Sequence, residues 1–146
     1  MLWPDVGAPD RTLPPDIGRP CKPMIIEAED PLLVQSSGWV KFKYNGMRNG
    51  QGMASSEAAR NELLGLKFWG RGVIAYLNNC LLCGSISVAL DGKTVHTVDT
   101  NALTSKTHVS FTVAKGLPLG EHEVRLTDIS IIGWFVEVDY FAVTCN

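Results

Sequence analysis

The clearest strand pattern of the chain lies at residues 72–98, GVIAYLNNCLLCGSISVALDGKTVHTV. The first six residues of this stretch, 72–77, are apolar at nearly every position, as in a strand at the centre of a sandwich. Ile86, Val88 and Leu90 then alternate with smaller side chains, which is the period of a strand with one buried face. The pair Asp91-Gly92 follows and supplies the positive φ angles that a tight hairpin turn needs. The stretch therefore predicts consecutive β-strands joined by a hairpin.

The same alternation extends outward along the chain in both directions. It recurs in five further short runs, at residues 39–44, 64–69, 109–113, 121–126 and 134–144. Gly, Asn, Asp and Pro separate these runs, and such residues are typical of turns. Period-two alternation in so many short runs predicts an all-β antiparallel sandwich of the jelly-roll type.

Residues 1–23 differ from the remainder in composition. They carry most of the prolines of the chain, namely Pro4, Pro9, Pro14, Pro15, Pro20 and Pro23. Proline has no N–H for a β-ladder and fixes φ, so this segment is predicted to be an extended arm or linker. It is either a flexible leader or an arm that lies across a partner. Residues 24–146 are predicted to form the sandwich domain.

Composition excludes several classes of function. The chain has 146 residues, 45% of them hydrophobic, and a net charge of -2 without a run of Lys or Arg. A nucleic-acid partner is disfavoured because phosphate neutralisation needs clustered cations. No stretch approaches the roughly 20 apolar residues of a membrane span. The first residues lack the features of a signal peptide, so the chain is either cytosolic or a piece of a longer protein.

Three stretches together resemble the galactose-binding-like jelly-roll superfamily, which includes carbohydrate-binding modules and ancillary domains of SGNH-type esterases. Residues 25–30, IIEAED, resemble the opening strand of calcium-binding carbohydrate modules. Residues 64–92 resemble the pair of central strands that ends in Leu-Asp-Gly. Residues 119–126 and 138–143 resemble the closing strands, the latter reading VDYFAV. The resemblance spans residues 24–145 and implies the jelly-roll fold.

The resemblance also implies a structural calcium site. In such modules acidic side chains of the opening strand meet one near the closing strand, and here these correspond to Glu27, Glu29 and Asp139. Carboxylate oxygens are the ligands that calcium prefers. The alternative is that the two glutamates are solvated charges and that Asp139 is held by a loop backbone.

Sugar binding by such modules relies on aromatic rings with polar groups around them. The candidate ligand-binding residues are the aromatic residues Trp39, Tyr44, Trp69, Tyr76 and Trp134. The loop at 128–133 would contribute to a binding rim, but it is apolar and lacks the expected Asn. For each ring the alternative is packing in the core, where aromatic residues are common.

The four cysteines allow two disulfides. Cys80 and Cys83 flank a turn, where they can form a disulfide or half of a zinc site. In the resembled fold the opening and closing strands are neighbours, which implies a disulfide between Cys21 and Cys145. The alternative for that pair is two buried thiols. Disulfides would favour an extracellular or cell-surface location.

No pattern typical of catalysis is present. His96, His108 and His122 are scattered, and the sequence contains neither a Gly-x-Ser-x-Gly elbow nor a phosphate-binding loop. The sequence therefore predicts a non-catalytic carbohydrate-binding module, with glycan as its partner and structural calcium as its only cofactor. The alternative is a docking or assembly module that uses the arm and the Leu81-Leu82 tip to bind a protein partner or further copies of itself in a homo-oligomer. A third interpretation is the ancillary domain of an esterase.

Overall fold

The computed structural model describes residues 18–36, 38–43, 48–55, 63–131 and 134–146. Within these ranges eleven strands are present, together with one short 3-10 turn at Arg48–Gly50. The strands are β1 Met24–Glu27, β2 Leu33–Gln35, β3 Trp39–Lys43, β4 Gln51–Ser55, β5 Leu63–Gly70, β6 Gly72–Asn79, β7 Ser85–Leu90, β8 Lys93–Asp99, β9 Lys106–Ala114, β10 Gly120–Asp128 and β11 Glu137–Thr144. The proline-rich arm is described only from residue 18, so the predicted boundary at residue 23 stays a prediction. No helix in the described residues could cross a bilayer.

The strands form two antiparallel sheets, and the predicted sandwich is confirmed. One sheet has the order β3-β4-β11-β6-β9, with β1 also paired to β11, and the other has the order β2-β5-β10-β7-β8. Strands β1 and β4 share one edge of β11, because β1 pairs with residues 140–143 and β4 with residues 137–138. The opening and closing strands are therefore direct neighbours, as the resemblance implied.

The core lies between the two sheets and follows the alternation of the sequence. Val73, Ala75 and Leu77 of β6 are buried, and so are Val124 and Leu126 of β10. The largest fully buried side chains are Trp39, Phe141, Ile26, Met53, Leu64 and Leu66. Burying side chains of this size stabilises the fold by about 1.5–3 kcal/mol each relative to leaving them exposed.

The predicted disulfide between Cys21 and Cys145 is confirmed, and of the two alternatives for Cys80 and Cys83 the structure has the disulfide, so none of the four cysteines is free. Cys21 is bonded to Cys145 beside the β1–β11 pair, with their Cα atoms 5.8 Å apart. Cys80 is bonded to Cys83 in the connection between β6 and β7. The zinc alternative is therefore wrong, because the sulfur atoms of the Cys80–Cys83 pair are consumed by the bond between them.

The predicted Asp-Gly hairpin turn joins β7 to β8, and its two residues have φ angles of +50° and +84°. Asp91 also fastens this turn to β10. Its carboxylate lies 2.8 Å from Nδ1 of His122 and accepts a hydrogen bond of 2.8 Å from the N–H of Glu123. Nε2 of His122 lies 2.8 Å from the carbonyl oxygen of Pro118. Because both ring nitrogens face acceptors, the protonated imidazole is the favoured form.

This arrangement makes the stability depend on pH. Burial lowers the pKa of His122, but the hydrogen bonds to Asp91 and Pro118 offset this, so its pKa lies above its ordinary value of 6.5. A raised pKa in the folded state stabilises the protein fully below about pH 6.5, and the gain is lost as pH rises through the raised value. We expect the free energy of unfolding to fall by about 0.5–1 kcal/mol across that range, since the pair is partly exposed. Urea unfolding at several pH values measures this dependence. In His122→Gln the free energy of unfolding should change less with pH. An equally steep dependence in the variant would contradict the assignment of the effect to His122.

Candidate functional site

A groove of about 860 Å³ runs along one edge of the sandwich, where the two sheets separate. It lies between β1 of one sheet and β5 of the other, with the segment before β1 at its border. Its lining includes Arg19, Met24, Val34, Lys67, Trp69 and Arg125. The groove exists because β2 is only three residues long and pairs with β5 only at residues 64–66. Beyond that point the edge of β5 faces the groove.

The open edge of β5 presents backbone hydrogen-bonding groups to the groove. The C=O of Leu63 accepts a hydrogen bond of 2.9 Å from the N–H of Ser36, so Leu63 faces the β2 side. Backbone direction alternates along a strand, and therefore Lys67 and Trp69 also direct their N–H and C=O groups to that side. Neither residue is part of the β2–β5 ladder, and the described residues supply no backbone partner for the C=O of Lys67 or for the N–H and C=O of Trp69.

Trp69 is the larger of two aromatic residues that line the groove, the other being the buried Phe68. Its indole Nε1 is buried and meets no acceptor among the described residues. The guanidinium carbon of Arg19 lies 4.6 Å from the ring centroid, in a cation–π contact. A buried N–H without a partner costs free energy, and a ligand oxygen at this position would remove that cost.

The charged side chains of the groove are mostly cationic. Glu123 and Arg125 neutralise one another, with Arg125 Nε 3.1 Å from a carboxylate oxygen of Glu123. For Arg19, Lys22 and Lys67, no carboxylate among the described residues lies within ion-pair distance. Glu121, on β10 opposite Trp69, is the one remaining acidic residue of the lining. The groove is locally positive, although the chain has a net charge of -2.

The other predicted ligand-binding residues do not lie in this groove. Trp39 is only 2% exposed and packs in the core. Its prediction as a ligand-binding residue is therefore wrong, and the alternative of core packing holds. Tyr76 stacks on Tyr140 with ring centroids 4.3 Å apart, on the outer face of the six-stranded sheet. Trp134 is half-buried in the connection before β11. Tyr44 lies outside the described residues.

The acidic residues predicted to hold calcium lie at the β1–β11 pair. Two of the three predicted residues, Glu27 and Asp139, come together around Arg48. The Nε of Arg48 lies 3.0 Å from a carboxylate oxygen of Glu27, and its backbone N–H donates to Oδ1 of Asp139 at 3.0 Å. Oδ2 of Asp139 lies 2.7 Å from Nε2 of His108. Glu29 is exposed and takes part in none of these contacts.

Two β-bulges bring Asp139 and His108 together. One interrupts the β11–β6 register between Val138 and Tyr140, and the other interrupts β6–β9 next to Leu77. His108 has a φ of +58°, a conformation that is costly for a residue with a side chain. Burial raises the pKa of Asp139, and the N–H of Arg48 and the charges of His108 and Arg48 only partly oppose the rise.

These residues do not fit a calcium ion. A guanidinium already supplies the positive charge beside the two carboxylates, and the described residues contain no group of three His, Cys, Asp or Glu side chains placed to hold a metal. A calcium site would need several more oxygen ligands than Glu27 and Asp139 provide.

We therefore expect stability to be independent of calcium. Saturation of a site at one hundred times its Kd would add about 2.7 kcal/mol to the free energy of unfolding. Calcium and EDTA should instead give superimposable urea unfolding curves, while Arg48→Gln should lower the free energy by about 1 kcal/mol, because its guanidinium is half-exposed. Arg71→Gln, on an exposed arginine, serves as the control. A calcium-dependent increase in the unmodified protein would contradict this account.

The loops at one end of the sandwich form an apolar surface. Its exposed side chains are Leu81, Leu82, Leu103, Ile129 and Ile131. Hydrogen bonds hold these loops together, such as those from the N–H of Phe135 to the C=O of Leu82 and from the N–H of Ala102 to the C=O of Cys80. The Leu81-Leu82 tip is thus exposed, as the sequence suggested, and it belongs to a larger surface.

Sequence reasoning identified Trp69 but not the groove around it. Arg19, Lys22 and Lys67 are scattered along the chain, and no local pattern indicates that they converge. Arg48 and His108 were missed for the same reason, because each meets Asp139 only through the pairing of distant strands. One signal was available for Trp69: Leu64, Leu66 and Phe68 point into the core, so alternation directs Trp69 outward.

Neither a protein-family model nor a curated protein sequence matches the chain. Solved structures do match it. The family 35 carbohydrate binding module from Clostridium thermocellum aligns with a TM-score of 0.60 at 14% identity, over 82% of this chain and 98% of that one. The CBM36-1 domain of a multidomain xylanase from the hindgut metagenome of Trinervitermes trinervoides gives a TM-score of 0.57 at 13% identity, over 84% and 96%.

Larger enzymes contain the same fold as one part of their length. A family two carbohydrate esterase from Cellvibrio japonicus aligns with a TM-score of 0.66 at 14% identity, over 86% of this chain. This chain spans only 34% of that esterase. The likeness shows that this chain shares the jelly-roll sandwich fold of these domains, as predicted.

Proposed function

We propose that this domain, which shares its jelly-roll fold with carbohydrate-binding modules, binds a glycan in the groove along β5 without catalysing a reaction on it. The observation that carries the proposal is the open edge at Lys67 and Trp69. Sugars present hydroxyl groups that both donate and accept hydrogen bonds, and this edge offers both N–H and C=O groups. Alternate sugar units can meet these groups while the apolar wall contacts the pyranose rings.

The indole of Trp69 adds a donor and an apolar surface to this edge. Its buried Nε1–H lacks an acceptor among the described residues, and a sugar oxygen supplies one. Because Arg19 covers one face of the ring, stacking of a sugar on that face requires the guanidinium to move. Val34 and Met24 extend the apolar part of the wall.

Two features support a binding module rather than an enzyme. The isolated modules that share the fold are matched over 98% and 96% of their length, so this fold is essentially the whole of each. The two disulfides favour an oxidising, extracellular compartment, where such modules meet polysaccharides.

A glycan array with the purified protein tests the proposal, first with calcium and then with EDTA. We expect binding to at least one class of polysaccharide and equal binding in both conditions. No binding to any glycan would refute it.

The apolar loop end favours a second candidate function, docking onto a protein partner or a second copy. Its five exposed aliphatic side chains form a surface of the kind that marks contacts. Light scattering tests self-association. A dimer that becomes monomeric when Leu81→Ser and Leu82→Ser are combined would support docking of a second copy. A monomer at all concentrations would count against it.

A further inference from the structure

We infer that the groove selects an anionic glycan, whose sugar units carry carboxylate or sulfate groups. This inference rests on the proposed function and names the class of ligand for the same groove. It follows from the balance of donors and acceptors and from the charges that surround Trp69.

Hydrogen-bond donors dominate the side chains of the groove. Arg19, Lys22 and Lys67 supply charged donors, and Trp69 supplies a buried one that lacks an acceptor among the described residues. The acceptors on the same side are the two backbone carbonyls of the β5 edge and the carboxylate of Glu121. A ligand rich in acceptors satisfies more of these groups than a neutral sugar does.

The charges lead to the same class of ligand. Arg125 is neutralised by Glu123, whereas the described residues place no carboxylate within ion-pair distance of the other three cations. These three cations carry three positive charges, and Glu121 is the one further carboxylate in the described lining. The net charge of the groove is therefore positive. Like charges gathered in a concave surface attract a ligand of the opposite sign and raise its association rate.

The position of Lys67 connects the charge to the backbone edge. Lys67 lies on β5 two residues before Trp69, so both side chains project from the same face of the sheet. Its own N–H and C=O also face the groove. A sugar unit bound along this edge brings its acidic group within reach of the Lys67 ammonium, and a neighbouring unit meets Trp69 and Arg19.

Titration calorimetry of the full chain tests the inference with four probes: oligogalacturonate, a heparin oligosaccharide, mannopentaose and poly-glutamate. We expect at least one of the two acidic glycans to bind ten or more times as tightly as mannopentaose, and its Kd to rise about tenfold or more between 50 and 500 mM NaCl. Which acidic glycan binds identifies the acidic group as carboxylate or sulfate.

Variants assign the charge to the groove. Arg19→Gln and Lys67→Gln should each raise the Kd of the acidic glycan about tenfold or more, as the loss of one charge-assisted hydrogen bond does. Lys93→Gln, on the distant β7–β8 turn, is the matched control and should change the Kd less than twofold.

The outcomes separate the two proposals. Mannopentaose binding as tightly as both acidic glycans, or binding that does not respond to salt, would overturn the anionic preference and leave glycan binding intact. Poly-glutamate binding as tightly as the acidic glycans would also overturn it, because the groove would then accept any polyanion. Failure of all glycans, here and on the array, would remove the proposed function and this inference with it.

Discussion

Replacing both Cys21 and Cys145 by serine should lower the free energy of unfolding by about 5 kcal/mol, whereas the same replacement at Cys80 and Cys83 should cost about 2 kcal/mol. The difference comes from the loops that the two bonds close. The first joins residues 124 positions apart and the second joins residues 3 positions apart. A cross-link that closes a long loop removes more conformational entropy from the unfolded chain.

Chemical unfolding of the two double variants measures this difference, and each serves as the control for the other. The β1–β11 pairing at residues 24–27 would remain in the first variant, so the expected result is a less stable but folded domain. Equal losses from the two variants would contradict the account. Equal losses would mean that residual structure already holds the two ends of the unfolded chain close together, so that the long cross-link removes little further entropy.

Trp69→Ala should weaken glycan binding by tenfold or more, a loss of about 1.4 kcal/mol or greater. The change removes part of the apolar wall of the groove together with the indole N–H that donates to the ligand. Trp69→Phe keeps the ring and removes the donor, so it should give a smaller loss. Calorimetry with the glycan that binds the unmodified protein provides the measurement.

Trp134→Ala is the control for this prediction, because Trp134 is also a half-buried tryptophan but lies before β11, outside the groove. It should change the Kd less than twofold. If Trp134→Ala instead abolished binding and Trp69→Ala had no effect, the glycan site would lie at the loop end.

The fold could be predicted from sequence because its main determinants are local. Alternation in residues 85–90 and the Asp91-Gly92 turn specify strands and a hairpin without reference to distant residues. The pairing of Cys21 with Cys145 required the resemblance in addition, since only the fold places the opening strand beside the closing strand.

The site was harder to predict because it depends on where strands end and how they pair. Alternation places Trp39 on the same side as Lys41 and Lys43, which favours exposure, yet its ring is buried at the start of a strand. The groove exists because β2 ends after three residues, and no residue type in the sequence indicates where that strand ends. Arg48 reaches Glu27 and Asp139 only after three separate strands have assembled.

An NMR titration of ¹⁵N-labelled protein with the acidic glycan that binds in calorimetry locates the binding site residue by residue. We expect the largest changes in chemical shift at the backbone amides of Lys67 and Trp69 and at the indole N–H of Trp69. Changes confined to Tyr76 and Tyr140, or to the loops around Leu81 and Trp134, with these three signals unmoved, would contradict binding in the groove.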